Sequence, residues 1–373
     1  MPDGASPCAF CPSAFDDMLP AKPTKTLPLC FAPELFHVAL DLSAVRMIDQ
    51  SLWLGSDETA HLEKLTLQGE AGVGHESIAV NDFLHLPHGG TQEVDIEGIA
   101  YSDHYLWVVG SHSLKRKRVK PDELSPGENI QRLETLSVEE NRYLLGRIPL
   151  VNGQLFKTCT HPTEPGTVLR AGQLKREKHG NQLTRSLRDD DHLREYLRAN
   201  IPGKENGFDI EGIAVDADRI FLGLRGPVLR GWAILLEVQV KEKKSGDLRL
   251  KKIGPDGERY RKHFLNLRGE GIRDLCFYKE DLLVLSGPTM DLTGDTQIFR
   301  MPNALTVLAE ESLIEPEPIL TVPGHTGADK AEGMTLLSTT EPSVLIVYDS
   351  PHGDRMDPEK GTVRADVFNL PLN

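Results

Sequence analysis

Three glutamates, each followed by glycine, are the residues of this sequence best placed to do chemistry. Glu97 lies in Asp95-Ile-Glu-Gly-Ile-Ala100, Glu211 in an identical Asp209-Ile-Glu-Gly-Ile-Ala214, and Glu332 in the shortened Ala331-Glu-Gly-Met334. Each unit leads across a short turn into an apolar run that ends on polar residues, namely Ser111-His112, Arg225-Gly226 and Asp349-Ser350. Two degenerate copies fit the same frame: Asp41-Leu-Ser-Ala-Val45 leading to Asp57-Glu58, and Gly271-Ile-Arg-Asp-Leu275 leading to Gly287-Pro288. If every copy is a strand, a turn and a returning strand, its start and its end emerge on one face. A ring of such copies gathers Ser43, Glu97, Glu211, Arg273 and Glu332 with Asp57, Ser111, His112, Arg225 and Asp349 on one rim.

Carboxylates in that arrangement suit a hard cation. Glu97, Glu211, Glu332, Asp57 and Asp349 are candidate ligands for calcium or magnesium, which prefer oxygen donors. Arg225, Arg230 and Arg273, with Ser111, suit a phosphate or carboxylate, because a guanidinium donates paired hydrogen bonds. An ion that polarises an ester and activates water would then support hydrolysis of small phosphorylated molecules. His112 is the candidate general acid or base, with Glu97 and Glu211 sharing the catalytic role. A plainer reading stands beside this one. The glutamates can tie neighbouring sheets, the arginines can neutralise them as internal ion pairs, and His112 can be a satisfied buried histidine. Gly98, Gly212 and Gly333 then allow close backbone approach at a bulge or turn. Whether the protein is an enzyme therefore stays open; the alternative is a non-catalytic module binding a small anionic ligand or a protein partner. Aromatic residues make up only 6% of the chain, which favours the small molecule, since protein-docking faces are aromatic-rich.

Positioning these residues calls for short strands in a repeated unit. Third-strand candidates are His61 to Leu67, Tyr143 to Val151, Trp232 to Val240, Thr296 to Met301 and Val363 to Leu370; fourth-strand candidates are Ile78 to Leu86, Tyr260 to Leu267 and Pro318 to Val322. The fold class is all-β, a propeller of five four-stranded blades. Six is the alternative, because the second and third copies stand about twice as far apart as the others. The last copy lacks a fourth strand, and Leu35 to Leu40 is expected to supply it and close the ring. The domain division is an extended leader over 1–34 and one propeller over 35–373, with insertions near 113–141 and 160–203. The first insertion carries Lys115-Arg-Lys-Arg118 and a capping-box pattern, Ser137-x-x-Glu140, for a short helix. In the second, Asp189-Asp-Asp191 precedes Leu193, Tyr196 and Leu197 at helical spacing, and Pro202-Gly203 stops the run.

Composition excludes some partners. A formal charge of −14 argues against a general nucleic-acid binder. No uninterrupted apolar stretch is long enough to span a bilayer, and residues 1–20 lack a secretory pattern. A cytoplasmic monomer is expected. Cys8 and Cys11 could form half a zinc site, but no second Cys or His pair stands at matching spacing.

The units around Glu97 and Glu211, with Gly110-Ser-His-Ser113 and Gly223-Leu-Arg-Gly-Pro227, resemble the bacterial family known as domain of unknown function 3616. Asp57-Glu58, Arg230-Gly-Trp232 and Ile272-Arg-Asp274 extend the resemblance from Phe36 to Leu372. The Glu-Gly-Ile-Ala units alone are also similar to those of esterase-like phytase propellers. The first resemblance implies the fold, and only the second hints at phosphate chemistry.

Overall fold

A computed structural model describes residues 19–372 apart from 179, 245, 291–293, 295 and 326. The Cys8–Cys11 pair and most of the expected leader lie outside the described residues.

Alternating apolar residues build a largely β-sheet fold. The first sheet consists of Leu42–Ile48, Ser51–Ser56, His61–Gln68 and Ala71–Ala79. The second is Ile96–Ser102, Tyr105–Gly110, Leu145–Val151 and the short Gly172–Gln173. The third is Asp209–Asp216, Arg219–Gly226, Trp232–Glu242 and Arg261–Asn266, and the fourth Gly271–Tyr278, Asp281–Gly287, Thr296–Met301 and Glu317–Val322. In the fifth, Lys330–Ser338, Ser343–Asp349 and Thr362–Asn369 are joined by Lys25–Cys30.

The first strand of each sheet touches the first strand of the next, and that of the fifth touches that of the first. An apolar layer fills every gap between neighbouring sheets, for example Ile96, Val108 and Trp53 between first and second, and Leu345, Val347 and Leu54 between fifth and first. These side chains are nearly solvent-free, and each buried Leu, Ile or Val contributes roughly 1.5–3 kcal/mol of transfer free energy.

Two strand assignments need correction. Residues 35–40 do not pair with the last strand; they belong to a 3-10 helix over Pro33–Leu40, which Pro33 initiates because its fixed φ suits a first helical turn and it has no N–H to leave unpaired. The partner of Thr362–Asn369 is Lys25–Cys30, antiparallel from Lys25 opposite Val367 to Cys30 opposite Thr362, a stretch assigned to the leader. The fourth strand of the first sheet is Ala71–Ala79 rather than Ile78 to Leu86, because Gly69 at φ +62° turns the chain back immediately after Gln68.

The connection between second and third sheets holds the helices Pro126–Glu134, Gln182–Leu187 and Arg194–Arg198. The capping box of the first is Ser125 with Glu128, not Ser137 with Glu140; Ser137 pairs in a two-residue strand with Lys115. Between Gln154 and Gly203 the described strands are only two or three residues long, and no regular four-stranded sheet forms among the described residues there.

Candidate functional site

At the start of all five first strands the pairing register skips, between Leu42 and Ala44, Ile96 and Gly98, Ile210 and Ile213, Ile272 and Asp274, and Ala331 and Gly333. The bulged residues are therefore Ser43, Glu97, Glu211, Arg273 and Glu332, the five positions equated by the repeat. A bulge leaves one residue unpaired and re-aims its side chain. Three of the bulges contain the repeat glycine pressed against the next sheet: a Cβ on Gly98 would meet Ile213 N at 2.9 Å, on Gly212 Asp274 Cα at 2.7 Å, and on Gly333 Val45 N at 3.0 Å.

Bulging brings the charges together. Arg225 Nη1 lies 2.9 Å from Glu211 Oε1, and Arg273 Nη1 bridges Glu211 Oε2 at 3.1 Å and Glu332 Oε1 at 2.8 Å. The remaining bonds go to carbonyls: Arg225 Nε donates to Thr289 O at 3.0 Å and Arg273 Nη2 to Pro288 O at 2.8 Å. Glu97 is buried and makes no hydrogen bond or ion pair among the described residues. Asp57 Oδ1 is likewise buried without a hydrogen-bond partner. Asp349 lies 3.5 Å from Lys330.

Acids outnumber bases here, and the carboxyl groups respond. Burial first, then the neighbouring Asp95, pushes Glu97 well above the usual range; burial and the same Asp95 do so for Asp57. Glu332 rises to about 7 through burial and Asp349, while Asp209 rises to about 8 through burial and Glu211. Glu211 moves down despite its burial, because Arg273 and Arg225 favour its charge.

These shifts fix a pH dependence. A carboxyl whose folded-state pKa is raised contributes stability at low pH that is lost as pH rises through that value. His112 works in the opposite sense, lowered to about 4 by burial, so its contribution is lost below the unfolded-state value near 6.5. Between about pH 6.5 and 8.5 only the raised carboxyls act, and the unfolding free energy from urea titration should fall by on the order of 1–2 kcal/mol across that window. Asp209→Asn should flatten the slope. An unchanged slope in that variant would show that Asp209 is ionised throughout.

His112 is not brought to the carboxylates as a free acid or base. Its Nδ1 donates to Gly110 O at 2.7 Å, its Nε2 accepts from Asn181 Nδ2 at 2.7 Å, and only 3% of it is exposed. Both nitrogens are consumed, so the catalytic assignment gives way to the structural one. Ser111 is also buried, bonded to Ser113 Oγ at 3.0 Å. Arg230 stands on an exposed tight turn at φ +49° and does not line the cleft described next.

That cleft, about 580 Å³, opens beside the bulged residues between the fourth and fifth sheets. Arg225 and Arg273 lie in its lining, with Arg118, His325, Lys330 and Ser350. Arg118 comes from the basic run of the first insertion, and its neighbours there are not merely solvated: Lys115 pairs with Glu93 at 2.9 Å and Arg116 with Glu205. Sequence reasoning also missed Arg142, which holds Asp95 and Glu139 at 2.8 Å each. The polar run Glu139-Glu-Asn-Arg142 was its one signal. At the opposite end of the first strands a smaller cavity, about 180 Å³, is lined by Arg46, Tyr101, Val215, Phe277 and Leu336. Arg46 reaches the first strands of the second and fourth sheets there, donating from Nε to Ile99 O and from Nη2 to Leu275 O, both at 2.8 Å.

Among the described residues no three His, Cys, Asp or Glu side chains are grouped so as to hold a metal ion, and no helix is long and apolar enough to cross a membrane.

Residues 41–366 match the family model described as "Protein of unknown function (DUF3616)". Among solved structures the chain is similar to glutaminyl cyclase of Myxococcus xanthus, at 10% identity over 94% of this chain and 97% of that one, with a TM-score of 0.40. It is similar to a luciferin-regenerating enzyme at 10% identity, covering 93% and 95%, with a TM-score of 0.36. The β-propeller domain of Cps50 (Swd1) from Myceliophteria thermophila follows at 8% identity, 88% and 97% coverage and a TM-score of 0.32. No curated protein matches the chain.

Proposed function

The chain belongs to the family described as "Protein of unknown function (DUF3616)", and from that premise we propose that it is a ligand-binding β-propeller whose cleft takes a small anionic molecule, phosphorylated compounds being the first class to try. The observation that carries this reading is Arg225. It is 4% exposed, its Nε and Nη1 are engaged by Thr289 O and Glu211, and its Nη2 has no partner among the described residues while the side chain lines the cleft. Arg118, exposed and unpaired among the described residues, stands at the same cleft. An anion held between two guanidinium groups gains charge-assisted hydrogen bonds.

The finer fold reading goes with it: a closed ring of five blades, completed by Lys25–Cys30, with 113–141 and 160–203 as insertions outside the blades. Its support is the cycle of first-strand contacts and the five apolar layers. The protein is taken as a cytoplasmic monomer.

Metal-assisted phosphoester hydrolysis is the second reading, favoured by the unpartnered carboxylate of Glu97 and Asp57 Oδ1. It requires calcium or magnesium on Glu97, Glu211, Glu332, Asp57 and Asp349, with the side chains regrouped around the ion.

One set of melting curves tests both. Inorganic phosphate or a phosphomonoester at roughly 10 mM should raise the melting temperature by mass action, and Arg118→Ala should weaken that binding about tenfold, the loss expected for one charge-assisted hydrogen bond. No shift with any anion in the wild type sinks the cleft reading. Calcium or magnesium should add stability that Glu97→Gln with Glu211→Gln removes only if the hydrolase reading holds.

A further inference from the structure

A histidine stands at the cleft with a support built under it. His325 and Asp329 lie on the chain that leads from the last strand of the fourth sheet to the first of the fifth, and His325 Nδ1 is 2.5 Å from Asp329 Oδ2. The Asp329 side chain has no solvent exposure, whereas that of His325 is 56% exposed and lines the cleft. Three further contacts fix Asp329. Its Oδ1 accepts from His352 N at 2.7 Å and lies 2.9 Å from Arg355 Nε, and its backbone N–H donates to Ser350 O at 2.9 Å. Arg355 is held in turn, at 2.8 Å, by the buried Asp366 in the third strand of the fifth sheet. The His352 ring completes the support, stacked on that of His325 with centroids 4.5 Å apart and planes 13° from parallel.

This arrangement divides the roles of the two ring nitrogens. An ionised Asp329 can only accept, so Nδ1 of His325 carries a hydrogen in either protonation state. Nε2 is the nitrogen that gains or loses a proton, and it has no hydrogen-bond partner among the described residues. With a proton it donates a charge-assisted bond; without one it turns a lone pair on any anion. His352 is disposed otherwise, because its Nδ1 accepts from Asp354 N at 3.3 Å, with Asp354 Oδ2 at 3.4 Å. The remaining charges near His325 belong to the cleft. Arg225, Arg273, Arg118 and Lys330 line it, and Glu211, Glu332 and Asp349 pair with the first two arginines and the lysine.

We propose that His325, held by Asp329, is a ligand-contacting group of the cleft, and that the cleft takes its anion as a dianion together with one proton carried on Nε2. The inference rests on the anion-binding reading above and adds the form of the ligand and the residue that reads it. A tetrahedral dianion suits, because its oxygens point to several sides and can accept from a guanidinium and an imidazolium together.

Sulfate is the probe, since it stays a dianion throughout the range in which histidine titrates, whereas phosphate takes up a proton of its own. Calorimetric titration of the full chain, at constant ionic strength, compares wild type with His325→Asn, whose amide can keep the bond to Asp329 but cannot titrate. Wild type should bind sulfate about tenfold more tightly than the variant at about pH 6, the loss expected for one charge-assisted bond, and the gap should close by about pH 8. Glu332 and Asp209 ionise over the same range, and their effect is common to both proteins, so the gap between the two curves reads His325. Proton magnetic resonance of the wild type is the second measurement. The His325 ring, assigned by difference from His325→Gln, should titrate at higher pH with sulfate bound. Equal affinities of wild type and His325→Asn at both pH values, or a midpoint that sulfate does not move, overturn the proposal and leave the cleft reading standing. Absence of sulfate binding by the wild type at either pH defeats the cleft reading, and this proposal with it.

Discussion

Arg273→Ala is expected to lower stability by about 3–5 kcal/mol, the loss that follows when one member of a buried ionic network is removed. Arg273 is only 5% exposed and touches both Glu211 and Glu332, which belong to the third and fifth sheets. Without it the two buried carboxylates lose the guanidinium that bonds to both of them, and their pKa values rise together. The deficit should therefore be larger at about pH 8.5 than at about pH 5.5, where protonation relieves the repulsion. Urea unfolding at both values reads this directly. A loss under about 1 kcal/mol at both, the size of an exposed pair, would mean that the ring is held by protons and that Arg273 is free for ligand.

Gly212→Val should be nearly as severe, at about 3 kcal/mol or more. The position sits at φ +87°, where a β-branched residue is strained, and its Cβ would strike Asp274 Cα in the next sheet, a backbone atom that cannot swing away. Gly353→Ala is the comparison, since nothing lies within 4 Å of the added carbon there, and it should change stability by less than about 0.5 kcal/mol. Thermal unfolding of the pair measures the difference. Similar melting temperatures would show that the third and fourth sheets can part without penalty.

These two positions also show what the sequence made readable. All five first strands bulge at the position the repeat equates, and three of them carry Glu-Gly where the backbone also lies against its neighbour, so the bulged side chains could be aligned from the repeat alone. The closing strand could not. Lys25–Cys30 repeats nothing, contains Pro28, and reads like a leader; its place is set by pairing with residues more than three hundred positions away. Pro28 is accommodated opposite Arg364, in a strand whose other edge meets the first sheet at Leu29 and Gly72. The two readings of His112 could not be told apart for a related reason, as its partner Asn181 belongs to the long connection and no local pattern announces it. Arg118 lies on that same connection and reaches the cleft only through the fold.

Arg46 sets a limit on what this ring can accept. By bonding to Ile99 and Leu275 it ties the first strands of the first, second and fourth sheets together at the end away from the carboxylates. A molecule drawn along these strands from the carboxylate end would have to displace that guanidinium from both carbonyls.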